Sequence, residues 1–158
     1  MILRVVLRVV LGAVLAAMAL GQLASFDAMP ALLTAYGLTS GAASTALAVA
    51  LIGAETVTAV WFLARPRSRA ATPVGLYTGV AVVWAVLAAQ AFARGLVLDN
   101  CGCFGTYATQ PLRWYVLVED ALMLLYAWLL WRGLRRARPA SSAARPFAAA
   151  RTRQENHR

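Results

Sequence analysis

Lysine is absent from this 158-residue chain, histidine occurs once and cysteine twice. Charged residues are only 13% of the sequence, about half the share found in soluble domains. Each scarcity excludes something. With 61% apolar residues, the chain lacks the polar surface a water-soluble globule needs, which leaves a membrane-embedded class. Its lone histidine, His157, and its two cysteines, Cys101 and Cys103, lie more than fifty residues apart. Even with Asp99 the cysteines make a three-ligand set, a poor zinc or copper cage, so no metal site is expected. The 15 basic residues are all Arg and give a formal net charge of +9. They sit at the ends of apolar runs and in the C-terminal tail, without aromatics interleaved on one face, which argues against nucleic-acid binding.

Long apolar runs are what the chain does have. Crossing a hydrocarbon core of about 30 Å takes about 20 helical residues. Four segments qualify, over about 5–24, 43–64, 73–93 and 115–131. Their apolar residues do not alternate, so a closed barrel is not expected and the fold class is all-α, a polytopic membrane four-helix bundle. Arg4 and Arg8 before the first run resemble the start of a secretory signal, but its apolar stretch exceeds the 7–15 residues of a signal core. It is read as a retained span. No internal repeat is visible.

Arginine placement sets the orientation. Arg4, Arg8, Arg65, Arg67, Arg69 and the seven-plus-one arginines after the fourth run, Arg132 to Arg158, all fall on one side. Only Arg94 and Arg113 fall on the other. By the positive-inside rule both termini are cytoplasmic, and the loops over 25–42 and 94–114 face outward at the cell membrane. In the first of these loops, Asp27 as a cap, Pro30 early and Gly37 at the end predict a short helix whose apolar face suits the membrane interface. Residues 1–133 are then one transmembrane domain. Residues 134–158, rich in Pro, Ser, Ala and Arg, read as a disordered basic tail attracted to anionic lipid headgroups.

The cysteines stand in Asp99-Asn100-Cys101-Gly102-Cys103-Phe104-Gly105, on the side of the membrane where disulfides persist. A structural brace is one reading. Closing so short a loop contributes only about 1.6 kcal/mol of chain entropy, against about 3 for a 15-residue loop. Cysteines two apart also strain the bond, which makes it easier to reduce. A redox-active or partner-linked pair is the other reading, and the glycines suit it by permitting a tight, approachable turn. Arg94 and Arg113 would favour a thiolate there, and Asp99 would oppose it.

Glu55 lies in the second span with no basic residue at matching depth, so a hydrogen bond to Gln22 or Gln90 is expected in place of an ion pair. Gln22, Gln90, Glu119 and Asp120 all gather toward the outer leaflet, near the cysteine loop. Glu55, Gln22 and Gln90 are a candidate quinone or proton site, or else polar clasps between helices. Gly75 and Gly79 form a GxxxG able to bring helices close.

With Asn100-Cys101-Gly102-Cys103-Phe104-Gly105 between the last two spans, Glu55 near a glycine, and the short arginine loop after span two, the sequence resembles the methylamine-utilisation protein MauE family. That family sits within the broader DoxX-like group of four-helix membrane proteins. Asp120 also looks like a family position. The resemblance covers about residues 1–133. It implies thiol–disulfide chemistry at the outer face through Cys101 and Cys103, supporting maturation of a disulfide-rich extracytoplasmic protein. Membrane quinone is the implied electron acceptor, and a thioredoxin-like or cysteine-rich protein the implied partner.

Three functions compete. The first is a membrane thiol–disulfide oxidoreductase or an accessory to one. The second is a non-enzymatic membrane anchor or assembly factor for a secreted partner. The third, a small transporter using Glu55, lacks the broken spans in matching halves that transporters show. Topology can be checked directly. A phosphatase active only outside the cytoplasm, fused after Arg158, is expected to be inactive; strong activity would reverse the orientation.

Overall fold

Alanine, leucine and valine runs of this length have one stable form in hydrocarbon, where each backbone N–H must find a carbonyl in its own segment. The computed structural model describes residues 2–136. It contains α1 (Ile2–Ala24), a 3-10 turn (Phe26–Ala28), α2 (Met29–Ala35), α3 (Ala42–Ala64), α4 (Thr72–Ala93) and α5 (Trp114–Arg136). The four long helices have 22 or 23 residues. At 1.5 Å per residue each is about 34 Å long, enough to cross a bilayer core. The chain is a multi-pass, all-helical membrane protein. α5 runs past the expected end of the fourth span, and the tail from residue 137, with His157, lies outside the described residues.

Antiparallel neighbours pack in sequence: α1 along α3, α3 on α4 and α4 on α5, with only a light contact from α5 back to α1. Leu15, Ala48, Phe62, Tyr77 and Trp84 fill the centre. Val10, Val60, Val86 and Leu125 stay exposed on the outside, as lipid-facing residues should. Arg4 donates to the carbonyl of Gly133, so both ends of the four-helix unit meet at one end of the bundle. The cysteine loop closes the opposite end.

Arg8 departs from the snorkelling expected of a flanking arginine. It is fully buried, none of its three guanidinium nitrogens has an acceptor among the described residues, and it lies 5.2 Å from the centre of the Phe62 ring. A desolvated cation–π contact contributes about 2 kcal/mol, less than the several kcal/mol of burying the charge.

The short helix between the first two spans forms, but Asp27 does not cap it. Asp27 sits inside the 3-10 turn, and the residue preceding α2 is Ala28, with no side-chain hydrogen bond at the cap. Pro30, in the first turn, removes one of the N–H groups that would need a partner. Met29, Leu33 and Tyr36 turn inward, so α2 packs on α3 and roofs the cysteine-loop end.

Close helix approach does not use Gly75 and Gly79, since a side chain at either would meet no neighbour within 4 Å. Gly12 serves helix approach instead, and Gly21 and Gly105 serve the seating of the loop. At Gly12 a Cβ would lie 3.0 Å from Leu63 and 3.1 Å from Phe62, where α1 and α3 touch. At Gly21 it would collide with the Phe104 carbonyl, and at Gly105 with the Gly21 carbonyl and Ser25. The cysteine loop is therefore seated on bare backbone of α1. Gly21→Ala should cost about 1–3 kcal/mol through overpacking, lowering the melting temperature in detergent. Gly79→Ala should leave it unchanged or raise it. Equal effects from the two would show that the loop is not docked at Gly21.

Candidate functional site

Asn-Cys-Gly-Cys-Phe-Gly encodes its own turn. Asn100 accepts from the Gly102 N–H at 3.0 Å and donates through Nδ2 to the Gly105 carbonyl at 2.8 Å. The Gly105 N–H closes onto the Gly102 carbonyl at 3.0 Å. Gly102 and Gly105 have φ of +78° and +65°, the left-handed region in which a side chain is strained. The turn brings the two sulfurs to 3.1 Å, both as free thiols.

The bundle then grips the cysteine backbone. Tyr36 Oη donates to the Cys101 carbonyl at 2.7 Å, and Gln22 Nε2 donates to the Cys103 carbonyl at 2.9 Å. The Cys101 N–H is taken by the Gln110 carbonyl at 2.7 Å. Tyr36 is itself held, since Gln90 and Arg94 donate to its carbonyl at 2.9 and 3.3 Å. Burial pushes the Tyr36 phenol upward, keeping it a donor. Every one of these bonds ends on a main-chain group, so the sulfurs remain bonded only to each other.

Arg94 is thus committed to Tyr36 and Gln90 and supplies no help to a thiolate. The charged groups that bear on the thiols are acids: Glu119 and Asp120 on Cys101, and Asp120 and Glu55 on Cys103. One thiol hydrogen-bonds to the other across 3.1 Å. That shared hydrogen bond holds the Cys101 thiol below its ordinary value, while Cys103 is pushed well above its own by the same bond and by burial. Access divides them the other way. Cys101 is 1% exposed and Cys103 is half-buried, so Cys103 is the more accessible sulfur.

Glu55 is completely buried beneath this turn. Trp84 Nε1 donates to its Oε1 at 2.8 Å, while Gln22 lies beside the carboxyl and, like Gln90, makes no hydrogen bond to it, so the expected glutamine bond is replaced by the indole. Gln22 Nε2 is spent on the Cys103 carbonyl. Gln90 sits at the cysteine-loop end of α4, bonded to the Tyr36 carbonyl. Oε2 of Glu55 and Oε1 of Gln22 are buried without a donor. The opposite edge of the Trp84 ring packs near Gly102. Trp84 and Tyr36 were not legible as site residues, because a mid-span tryptophan and a tyrosine at the end of a short helix read as ordinary packing until their partners are seen.

A cleft of about 220 Å³ opens beside Cys103, between α1, α4 and α5. Val14, Met18, Trp84, Phe104 and Met123 make it apolar, and Asp120 lies in it. Asp120 is 7% exposed, and its Oδ2 has no hydrogen-bond partner. Its neighbour Glu119 is satisfied by Gln110 Nε2 at 2.9 Å. Among the described residues no three His, Cys, Asp or Glu side chains group to hold a metal ion.

Replacing Glu55 separates its roles. Glu55→Gln keeps an acceptor for Trp84, whereas Glu55→Leu strands the indole N–H and should cost about 1–3 kcal/mol, read as thermal melting in detergent. Equal stability of the two variants would remove the Trp84 bond from the account.

Neither the curated proteins nor the solved structures yielded a match. Residues 1–132 fit the family model described as methylamine utilisation protein MauE, a stretch that holds all four spans and the cysteine turn, and the chain belongs to that family.

Proposed function

We propose that this protein is a membrane thiol–disulfide oxidoreductase, or an accessory to one, acting through Cys101 and Cys103 on an extracytoplasmic partner. The observation that carries this reading is the pair itself. Two thiols 3.1 Å apart are fixed by their backbones and left without any other sulfur contact. A brace needs no such approachability. The arginine count supports an outward-facing loop, because the end opposite the cysteines carries Arg4, Arg132 and the inter-span arginines.

In the forward direction a Cys101–Cys103 disulfide takes two electrons and two protons from a partner dithiol through a mixed disulfide. The partner is a thioredoxin-like or cysteine-rich secreted protein whose own disulfides are being matured. The chain has no second cysteine pair, so the electrons must leave through another molecule. Membrane quinone, a two-electron, two-proton acceptor, suits that task. The cleft beside Cys103 fits its ring chemically: apolar walls, two flanking aromatics in Trp84 and Phe104, and polar groups at Gln110 and Asp120. Glu55 and Gln22 lie just behind, where they can hold a proton or simply tie helices together.

One observation favours the alternative of a non-enzymatic anchor or assembly factor: Cys101 is almost wholly covered. The two readings separate by trapping. With Cys101→Ser the resolving thiol is gone, and Cys103 should remain joined to its partner as a band that reductant removes from a non-reducing gel. Cys103→Ser should trap much less. If neither variant yields an adduct and quinone does not reoxidise the purified dithiol, the anchor reading takes its place.

A further inference from the structure

Asp120 is the one buried polar side chain in the cleft whose oxygen has nothing to bond. A carboxyl on the seventh residue of α5 would ordinarily be a helix-start preference. Both Glu119 and Asp120 line the cleft that holds Cys103, but Glu119 is exposed, as ordinary helix-start acids are, whereas Asp120 is more than nine-tenths buried. Gln110, the amide nearest the cleft mouth, donates to Glu119 instead and leaves Oδ2 of Asp120 unbonded. No cation approaches it in a salt bridge or hydrogen bond among the described residues.

The titratable groups around Asp120 are Cys101 and Cys103 from the loop, Glu119 on its own helix and Tyr36 at the end of α2, and Glu55 from α3 bears on Cys103. All are acids. Ionising Cys103 beside a carboxylate would place two negative charges in one apolar cleft. Moving the thiol proton onto the carboxylate keeps the charge constant, which is the inexpensive way to make a thiolate there. Cleft volume matters here too. At about 30 Å³ per water, there is room for one to relay the proton between Cys103 and Asp120.

From this arrangement we infer that Asp120 is the proton acceptor and donor for Cys103 in thiol–disulfide exchange. The inference rests on the thiol–disulfide reading proposed above. As the Cys103 S–H bond breaks, its proton passes to Oδ2 and the sulfur attacks one sulfur of a partner disulfide. A Cys103–partner bond forms, the partner's S–S bond breaks, and the departing sulfur takes the proton back from Asp120. Cys101 then attacks Cys103 and releases the second partner thiol. The pair ends oxidised by two electrons and the partner reduced by two; the reverse sequence oxidises a partner dithiol.

The competing role for Asp120, a fixed negative charge, predicts the opposite sign. Removing a static charge from beside a thiol eases its ionisation and speeds exchange. The test uses the purified full-length dithiol protein in detergent and a neutral dialkyl disulfide as probe, followed from pH 6 to 10. Asp120→Asn should slow exchange at pH 7 by about a hundredfold, the lower end of the range of about 10²–10⁴ for a positioned acid–base group, and the gap should close at high pH. Asp120→Glu, which restores a carboxyl, should recover much of the rate, and matched melting temperatures show that both variants are folded. An unchanged or faster Asp120→Asn protein, or an equally slow Asp120→Glu protein, overturns the inference while leaving the cysteine chemistry intact. A wild-type protein that never exchanges overturns both.

Discussion

The hydrogen bond from Gln22 to the Cys103 carbonyl joins two parts of the molecule that would otherwise be unrelated. A loop at the end of a membrane bundle carries backbone carbonyls that water satisfies only where water reaches. Here the two cysteine carbonyls are satisfied by side chains of the bundle, Gln22 from α1 and Tyr36 from the end of α2. Each such bond contributes about 1 kcal/mol net, yet leaving a buried carbonyl unpaired costs more, so the loop has little freedom to sit elsewhere. Gly21 and Gly105 follow from the same constraint, because the loop reaches Gln22 only by lying on bare α1 backbone. Trp84 follows as well, with one edge bonded to Glu55 and the other under Gly102.

Fixing the backbone while leaving the sulfurs unbound has an electrostatic consequence. Thiols usually become reactive through a nearby cation or a helix N-terminus. Among the described residues no arginine hydrogen-bonds to either sulfur. The pair's neighbours are carboxyl groups, and what favours the Cys101 thiolate is the other thiol. On the proposed reading, such a site moves a proton locally in place of holding a standing thiolate.

The four spans were legible because hydrocarbon allows one solution to runs of apolar residues, and the turn was legible because Asn100, Gly102 and Gly105 each have a backbone reason to be there. Gln22 was legible as a polar group placed near Glu55. Gln90 looked equivalent, since position along a span gives depth but not which way a side chain points, and the packing turned it toward Tyr36. The same blindness hid Gly21, one of many small residues in α1, and made Gly75 and Gly79 look like contacts. Asp27 failed as a cap because α1 passes into a 3-10 turn before α2 begins. Arg8 was counted with the flanking arginines, although it points into the bundle.

Central to the account is a cysteine pair that exchanges between dithiol and disulfide without disturbing the helices around it. Equilibrating the purified protein across a graded ratio of reduced to oxidised thiol buffer measures this directly, with intrinsic tryptophan fluorescence and thiol labelling as independent readouts. The account predicts one reversible two-electron transition, coincident in both, at a potential above about −300 mV, the region of exchangeable disulfides. A pair that stays reduced throughout, or a bond that resists reduction below that value, would contradict it.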